Sequence, residues 1–442
     1  MKRVVIVGAT KTGKSIHNFL ISRDIPHSIV DTRDSVGFIE DDWEEFLSIV
    51  KFGKEKVKEA IANADEVYFS PSINQTEFEI PKEKIKSELN LFLTFSKHFT
   101  IGITGTNGKS TVCYFISQLL NSLEVPNEII GNFGSPMLNG LSVDLNKVLI
   151  VELSSFQLED ASHSPLSNLR GFNIAGFINF SEDHLDRHTS KKTYLMAKKC
   201  IEKKIKSNGI FLYNQAYTAT HPSSSQKGIP VGEDNLSYNH KQIAESLIFE
   251  FNSKEIARTT QKLSAVNSEN LMFAIGVVHQ LFIQKGLSLP QSFNLDNINL
   301  LKFRMELIKD TDQVTIINDS KSTNPHSTYA AINQLAFDNK KLILILGGDT
   351  KGLIFSKNLL NLPPDAMCYI YGRDKDKIFK EISFENTFIF ETLKEVIDHL
   401  YIQNINNVLI LFSPGCSSKD QYRDYIHRGD EFTQYLKERS FL

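Results

Sequence analysis

Residues 102–113 read Gly102-Ile103-Thr104-Gly105-Thr106-Asn107-Gly108-Lys109-Ser110-Thr111-Val112-Cys113 and follow directly on an apolar run that opens at Phe99. A buried strand, a turn with two glycines and the start of a helix build, in that order, a cradle for a triphosphate. Gly105 and Gly108 let the backbone turn tightly and aim N–H groups at phosphate oxygens, while the new helix offers its positive end. Lys109 can neutralise the terminal phosphates, and Ser110 or Thr111 can place a hydroxyl on Mg²⁺. The segment departs from the general P-loop pattern, which has Gly where Ile103 stands. A full match lies elsewhere, at Gly8-Ala9-Thr10-Lys11-Thr12-Gly13-Lys14-Ser15. Which loop holds the nucleotide decides both architecture and chemistry.

The chain has 442 residues, enough for about three domains that each bury a core. With 41% hydrophobic and 23% charged residues it is too apolar for disorder. A net charge of −3 gives no bulk attraction to nucleic acid or to an anionic membrane, so neither is expected as a partner and anionic ligands need local sites. No apolar run reaches the roughly 18–20 residues of a membrane span. Met1-Lys2-Arg3 is basic, but Val4–Val7 is only a strand-length run closed by Gly8, unlike a signal peptide. Cys113, Cys200, Cys368 and Cys416 lie far apart without metal-like spacing, which reads as a reduced, cytoplasmic protein.

Along the chain, Val4–Val7, Ser28–Asp31 and Val67–Phe69 read as strands, with a helix over Lys14–Ser22. That is the βαβ rhythm of a small doubly wound domain. A second unit opens at the strand before Gly102, with further strands at Val148–Val151 and Gly176–Asn179 and helices at Lys191–Lys206 and Ala265–Leu281. The character changes near Leu300, with strands at Phe303–Ile308 and Val314–Ile317 and two continuous apolar runs, Leu342–Leu346 and Val408–Phe412. Such runs suit parallel strands covered on both faces. The expected class is α/β, three domains in series at 1–92, 93–298 and 299–442: Rossmann-like, P-loop-type with a parallel sheet, and Rossmann-like again.

The Gly8 loop lacks the company a triphosphate needs, since only about ninety residues precede the next phosphate loop. Asp31 closes the second strand at roughly the offset of a ribose-binding acid, and Arg33 beside it can pair with a phosphate. A diphosphate or nucleotide-sugar site follows, with Thr12, Asp31, Thr32, Arg33 and Ser70 facing ligand; the plain alternative is a turn that only packs strand on helix. The second loop is better accompanied. Val148-Leu149-Ile150-Val151-Glu152 ends an apolar strand in a carboxylate, the position that holds Mg²⁺ or its water beside a phosphate loop. Glu182-Asp183-His184-Leu185-Asp186 sets acids and an imidazole at another strand's carboxyl edge, where open α/β sheets bind ligands. Alone, Glu152 reads equally as a capping carboxylate and His184 as a surface histidine; together, downstream of a phosphate loop, they read as a site.

Taken with Gly131-Asn132-Phe133-Gly134, Glu152-Leu153-Ser154-Ser155-Phe156-Gln157, Asn318-Asp319-Ser320-Lys321-Ser322-Thr323-Asn324, Gly347-Gly348-Asp349-Thr350-Lys351-Gly352 and Ser413-Pro414-Gly415-Cys416-Ser417-Ser418, the chain resembles the Mur ligases, ATP-dependent amide-forming enzymes of peptidoglycan precursor synthesis. Among their branches it is most similar to the one that adds D-glutamate. The resemblance implies a UDP-binding first domain, a central ATPase and a third domain that closes with the amino acid. It implies ATP and two Mg²⁺ ions as cofactors, UDP-N-acetylmuramoyl-L-alanine and D-glutamate as small-molecule substrates, and a monomer. The residues it places in catalysis are Lys109, Asn132, Glu152, His184 and Lys198. ATP contacts are Gly105, Thr106, Asn107, Gly108, Lys109, Ser110, Thr111, Asn267, Arg304, Asp319 and Lys321; metal ligands are Ser110, Glu152, His184 and Lys198. The UDP side takes Thr12, Asp31, Thr32, Arg33 and Ser70, and D-glutamate takes Thr323, Lys351, Ser418 and Tyr425.

Read by itself, Lys198 is one lysine among several (Lys199, Lys203, Lys204, Lys206) on a solvated helix. The resemblance makes it the lysine that CO₂ carbamylates, turning a cation into an oxygen ligand for a hard metal. Four positions depart from the family: Val266 before Asn267 and Phe303 before Arg304, where His is usual, and the basic Lys11 and Lys14 in a loop that is mostly apolar in the D-glutamate branch. They bear on contacts to nucleotide and UDP-sugar, not on the class of reaction. The reaction implied is phosphorylation of a carboxylate followed by amine attack on the acyl phosphate, and no base for the amine emerges from the residues. Rival readings are an amino-acid ligase of the same family with another acceptor, a nucleotide-binding regulatory protein without turnover, and an ATPase site at the Gly8 loop.

Overall fold

Three parallel-dominated sheets form where the apolar runs predict them. A computed structural model describes residues 2–34, 43–71, 73, 75–162, 171–180, 188, 190–214, 228–232, 237–261, 263, 265–288, 293–295, 298–333, 335, 340–350, 352–355, 362–382, 384–403 and 406–441. The chain divides into two compact units, Met1–Asn299 and Leu300–Leu442.

The first unit holds two sheets. One contains β1 (Val4–Val7), β2 (His27–Asp31), β3 (Val50–Phe52), β4 (Glu66–Phe69) and β5 (Ile85–Lys86), all parallel, in the order β3-β2-β1-β4-β5. Alternation along β1 fills both faces: Val4 and Ile6 pack with Phe19 and Leu20 of the helix Lys11–Ile21, while Val5 and Val7 pack with Val57 and Ile61 of the helix Lys54–Asn63. The first of these helices starts three residues before the expected Lys14. Thr10 is its N-cap and accepts from the Gly13 N–H, so the cap rather than the apolar pattern sets the start.

The second sheet runs β15-β14-β13-β12-β11-β10-β9-β6-β8-β7. Its strands are β6 (Phe99–Thr104), β7 (Asn127–Gly131), β8 (Val148–Glu152), β9 (Phe172–Phe177), β10 (Ile205–Asn214), β11 (Gly228–Val231), β12 (Tyr238–Ile243), β13 (Ser246–Phe251), β14 (Lys254–Thr259) and β15 (Phe293–Asn294). β12, β13 and β14 are antiparallel, an extension the sequence does not announce because polar residues alternate through it. The strand expected at Gly176–Asn179 runs instead from Phe172 to Phe177, leaving Asn179 in the loop beyond it. The helix expected over Lys191–Lys206 ends at Lys199, followed by a 3₁₀ turn Cys200–Lys204 and then β10.

The second unit contains β16 (Glu306–Asp310), β17 (Val314–Asn318), β18 (Lys341–Gly347), β19 (Met367–Tyr371), β20 (Thr387–Ile389) and β21 (Val408–Phe412), ordered β16-β17-β21-β18-β19-β20. β18 shows why a continuous apolar run means two covered faces. Leu342, Leu344 and Leu346 join Ile378 and Ile382 in one core, and Ile343 and Ile345 join Val396, Leu400 and Phe432 in the other. The strand expected from Phe303 begins at Glu306, because Phe303 and Met305 take positive φ angles of 62° and 50° that no strand accommodates. All four cysteines are free thiols, and among the described residues no helix is long and apolar enough to cross a membrane.

Arg428, on the helix Tyr425–Glu438, is 0% exposed. Its guanidinium donates to Ser320 Oγ (3.1 Å), Ser320 O (2.7 Å) and Cys416 O (3.0 Å), tying the loops after β17 and β21 to the helix. Arg428→Ala strands those acceptors and opens a cavity, so urea unfolding of the full chain should show a loss of about 3 kcal/mol or more. A loss below about 1 kcal/mol would mean the guanidinium does not hold these loops.

Candidate functional site

β6 ends at Thr104 and the helix Lys109–Ser122 begins five residues later, so Gly105–Gly108 span the carboxyl edge of the sheet. One side chain shapes this turn. Asn179 Oδ1 accepts from the N–H groups of Thr106 (3.0 Å) and Asn107 (2.9 Å), and its Nδ2 donates to Asn107 O (2.9 Å). Gly108 takes φ 76°, and a Cβ there would lie 2.5 Å from the Oδ1 of Asn270 on the helix Ala265–Lys285. The helix that opens at Lys109 offers the first N–H groups of a helix, which find no acceptor within it, a geometry that favours an anion at this end. The Lys109 ammonium donates to Gly105 O (3.0 Å) and Thr106 O (2.7 Å) across the same turn.

Glu152 stands at the end of β8, beside β6, and is 1% exposed. Its Oε1 accepts from Asn132 Nδ2 at 2.7 Å, whereas Oε2 is buried and has no hydrogen-bond partner among the described residues. A desolvated carboxylate oxygen with no donor is costly and is the state expected of an oxygen awaiting a hard cation. Glu152 therefore fits a Mg²⁺ ligand; Ser110, also buried, supplies a hydroxyl in the facing helix turn. His184, with the rest of 181–187, lies outside the described residues. His188 is buried, with Nε2 2.9 Å from Ser155 Oγ and its ring stacked on Phe156 at 5.2 Å.

The solvated lysine face expected around Lys198 is not what forms. Lys198 is 1% exposed, donates to Gly105 O at 2.6 Å and lies 4.6 Å from the Tyr194 ring centroid. Tyr194 OH in turn donates to Thr106 Oγ1 at 3.3 Å. Lys204 is buried as well, donating to Asn90 Oδ1 and Ala161 O, and burial pushes its ammonium down to about 8. Lys191, Lys192 and Lys203 stay exposed, whereas Lys198 and Lys204 turn inward because their ammonium groups reach carbonyl oxygens there.

The Gly8–Ser15 turn is built differently. The N–H groups of Gly8, Thr10 and Lys14 go to Val30 O, Gly8 O and Thr10 O, that of Ala9 to Asp31 Oδ2 (2.6 Å), and that of Gly13 to Thr10 Oγ1 (3.2 Å). A Cβ on Gly13 would stand 2.0 Å from Gly8 O, so the glycine serves close packing. A backbone so committed cannot wrap a triphosphate, despite the full pattern match. Asp31 is fully buried; burial raises its carboxyl, but the Arg33 guanidinium and the N–H groups of Arg33 and Ala9 outweigh that and hold it below the ordinary range. Ser70 is buried against Thr10 Oγ1 and Gly8 O, while Thr12 and Thr32 are half-buried. A cleft of about 580 Å³ is lined from both loops, by Thr10, Lys11 and Thr12 and by Lys109, together with Asn132 and Lys198.

In the second unit, Asp319 is buried and accepts from Ser322 Oγ (2.5 Å), Ser413 Oγ (2.8 Å) and Met305 N (3.2 Å). Burial nevertheless pushes its carboxyl up to about 6. Arg304 sits between the two positive-φ residues, and Lys321 Nζ lies 4.7 Å from the Tyr425 ring centroid. Asp349 and Ser417 exchange two backbone hydrogen bonds (3.0 and 2.8 Å), which zips the loop after β18 to the loop after β21. Ser418 is buried beside that zip, Thr323 is half-buried, Asn267 is half-buried on its helix, and Lys351 lies outside the described residues. Asn179, Asn270 and Arg428 escape sequence reading; of these, Asn179, closing a predicted strand, carried a visible signal.

Residues 2–88, 103–278 and 303–416 match families described as the Mur ligase MurD-like N-terminal domain, the Mur ligase middle domain and the Mur ligase glutamate ligase domain. The chain is 32% identical to the UDP-N-acetylmuramoylalanine–D-glutamate ligase of Buchnera aphidicola subsp. Baizongia pistaciae, over 99% of this chain and 98% of that protein. It is 31% identical to the Aliivibrio fischeri protein of the same name, over 100% and 98%. The fold is similar to that of a MurF ligase from Thermotoga maritima in complex with ADP, with a TM-score of 0.61 at 14% identity and coverage of 99% and 95%.

Two outcomes test the geometry. Lys109→Ala should cut turnover by about 10²-fold or more with the fold intact, while Lys14→Ala, whose ammonium lies 5.2 Å from the Trp43 ring centroid, should leave ATP hydrolysis within about twofold. The reverse pattern would move the nucleotide to the Gly8 loop. Asp319 titrates higher in the folded than in the unfolded chain, so its contribution to stability is complete below about pH 4 and is lost as pH rises through about 6. Urea unfolding of the wild type at pH 5 and 7.5 should show that loss, and Asp319→Asn should remove this part of the slope.

Proposed function

The chain belongs to the Mur ligase family, and on that footing we propose that it joins D-glutamate to UDP-N-acetylmuramoyl-L-alanine at the expense of ATP, in peptidoglycan precursor synthesis. The observation that carries the reading is the cleft running from Thr10–Thr12 to Lys109, Asn132 and Lys198. A substrate held by its nucleotide end at the Gly8 loop can reach the phosphate loop with its far carboxylate.

The chemistry follows in two steps. The carboxylate oxygen attacks the γ-phosphorus and ADP leaves, giving an acyl phosphate. The amine of D-glutamate then attacks the acyl carbon, loses a proton, and expels inorganic phosphate. Both reactants of the first step are anions, so the protein's task is positioning and charge compensation. Lys109, with the N–H groups of Lys109, Ser110 and Thr111, grips the terminal phosphates; Gly105, Thr106, Asn107 and Gly108 shape the turn. Asn132, anchored on Glu152, orients the reacting groups. Glu152, Ser110 and His184 would hold Mg²⁺, with Lys198 joining them if carbamylated; the ion supplies positive charge to the transferred phosphoryl group. Burial of Lys198 beside Gly105 supports that role, since a solvated lysine would gain nothing from it.

Thr12, Thr32 and Arg33 serve the UDP side, where Asp31 and Ser70 act by arranging the turn. Asn267, Arg304, Asp319 and Lys321 serve the nucleotide. Thr323, Lys351, Ser418 and Tyr425 serve D-glutamate, whose two carboxylates call for an ammonium and hydroxyl donors. Domains at 1–92, 93–298 and 299–442, a monomeric state and a cytoplasmic location complete the proposal.

Phosphate release with ATP, UDP-N-acetylmuramoyl-L-alanine and one amino acid at a time tests it. D-glutamate should support turnover, and L-glutamate and meso-diaminopimelate should not. Turnover with either of those instead would reassign the acceptor, and ATP binding without ADP release under any condition would make the chain a regulatory protein.

A further inference from the structure

The helix Lys375–Ile382 begins just after Asp374 and carries Lys377 and Glu381, so an acid, a base and an acid follow one another at spacings of three and four along one face. All three engage the loop that leaves β18. Asp374 Oδ2 accepts from Thr350 N at 2.8 Å and from Thr350 Oγ1 at 2.6 Å, and the Asp374 N–H donates to Gly348 O at 3.1 Å. Lys377 Nζ donates to Thr350 Oγ1 (3.1 Å) and Leu353 O (3.0 Å). Glu381 Oε2 accepts from Phe355 N at 2.8 Å, with its other oxygen 3.9 Å from Lys377. The opposite flank of the loop is the Asp349–Ser417 zip, and buried Phe355 sits under Gly415 so closely that a Cβ there would lie 2.7 Å from the ring.

Charged side chains spent on backbone groups hold a loop to one shape more firmly than neutral contacts do. An ammonium on a four-carbon stem has little geometry of its own, so what it recognises depends on where its backbone is held. The clamped residues Thr350 and Leu353 stand on either side of Lys351 in sequence, and the zipped loop carries Ser418.

We propose that Asp374, Lys377 and Glu381 are positioning residues for the incoming amino acid: they hold the loop after β18 in the shape that binds the acceptor's carboxylate. The inference rests on the reading of Lys351 and Ser418 as acceptor contacts. None of the three touches substrate; they act through the loop.

The test is steady-state phosphate release by the full chain, with D-glutamate, UDP-N-acetylmuramoyl-L-alanine and ATP each varied in turn. Asp374→Ala and Lys377→Met should each raise KM for D-glutamate about tenfold and leave KM for the other two substrates within about twofold. Asp374→Asn, which keeps an acceptor oxygen for Thr350, should recover most of the loss. Unchanged KM for D-glutamate in both variants, or a parallel rise in all three constants, overturns the proposal. If Asp374→Ala fails to fold, Lys377→Met carries the same comparison. Lys351→Ala separates the two readings: a raised KM there, with Asp374→Ala and Lys377→Met silent, sinks the positioning role alone, whereas an unchanged KM removes the acceptor reading and the proposal with it.

Discussion

Two ammonium groups converge on one carbonyl oxygen: Lys109 and Lys198 both donate to Gly105 O, from a helix that opens the phosphate loop and from one that lies eighty residues on. Bringing them to one point demands that the turn between β6 and the next helix have a single shape. Asn179 imposes it from below, using one amide to satisfy three backbone groups, and Asn270 closes the space above Gly108. With that turn fixed, Lys109, at the start of its helix, and Lys198 line the same cleft. A chain with net charge −3 thereby collects positive charge where an anion with several phosphates would sit.

The same local pattern at Gly8 yields the opposite outcome, and the difference is not visible in either segment. At Gly8, Asp31 and Val30 arrive from the neighbouring strand and take up the N–H groups, so the turn closes on the protein itself. At Gly105, the neighbour that arrives is Asn179, which takes the N–H groups of Thr106 and Asn107, ahead of the helix start. A phosphate loop is thus defined by which donors its tertiary neighbours leave unspent.

This is also the boundary of what the sequence made legible. The strands β1, β8, β18 and β21 could be read because burial on both faces forces an apolar run whatever the partner. Glu152 could be read because a carboxylate ending such a run has few structural reasons to be there, and its buried, unpartnered oxygen is consistent with that reasoning. Lys198 taken alone read as solvated, since a helix rich in lysine looks so, whereas the carbonyl of Gly105 and the ring of Tyr194 meet its buried ammonium. Arg428 and the 374/377/381 stripe gave no signal, because their partners are mostly backbone groups, joined by the hydroxyls of Ser320 and Thr350, more than ten residues away, and backbone groups carry no sequence.

Backbone recognition by charged side chains recurs in both units: Lys204 on Ala161 O, Arg428 on Ser320 and Cys416, and Lys377 on Leu353 O. Arg428 and Lys377 hold connections that leave the carboxyl edge of a sheet, while Lys204 meets the last turn of the helix Ser155–Ser162. Strands need no such help, since their ladders satisfy their own donors and acceptors. Loops at a ligand edge cannot satisfy themselves without filling the space a ligand needs. Long cationic and acidic side chains reaching in from the flanks resolve that conflict, because they saturate the far side of the loop and leave its near side clear. The cost is burial of ionisable groups, visible in Lys204 pushed down to about 8 and Asp319 pushed up to about 6.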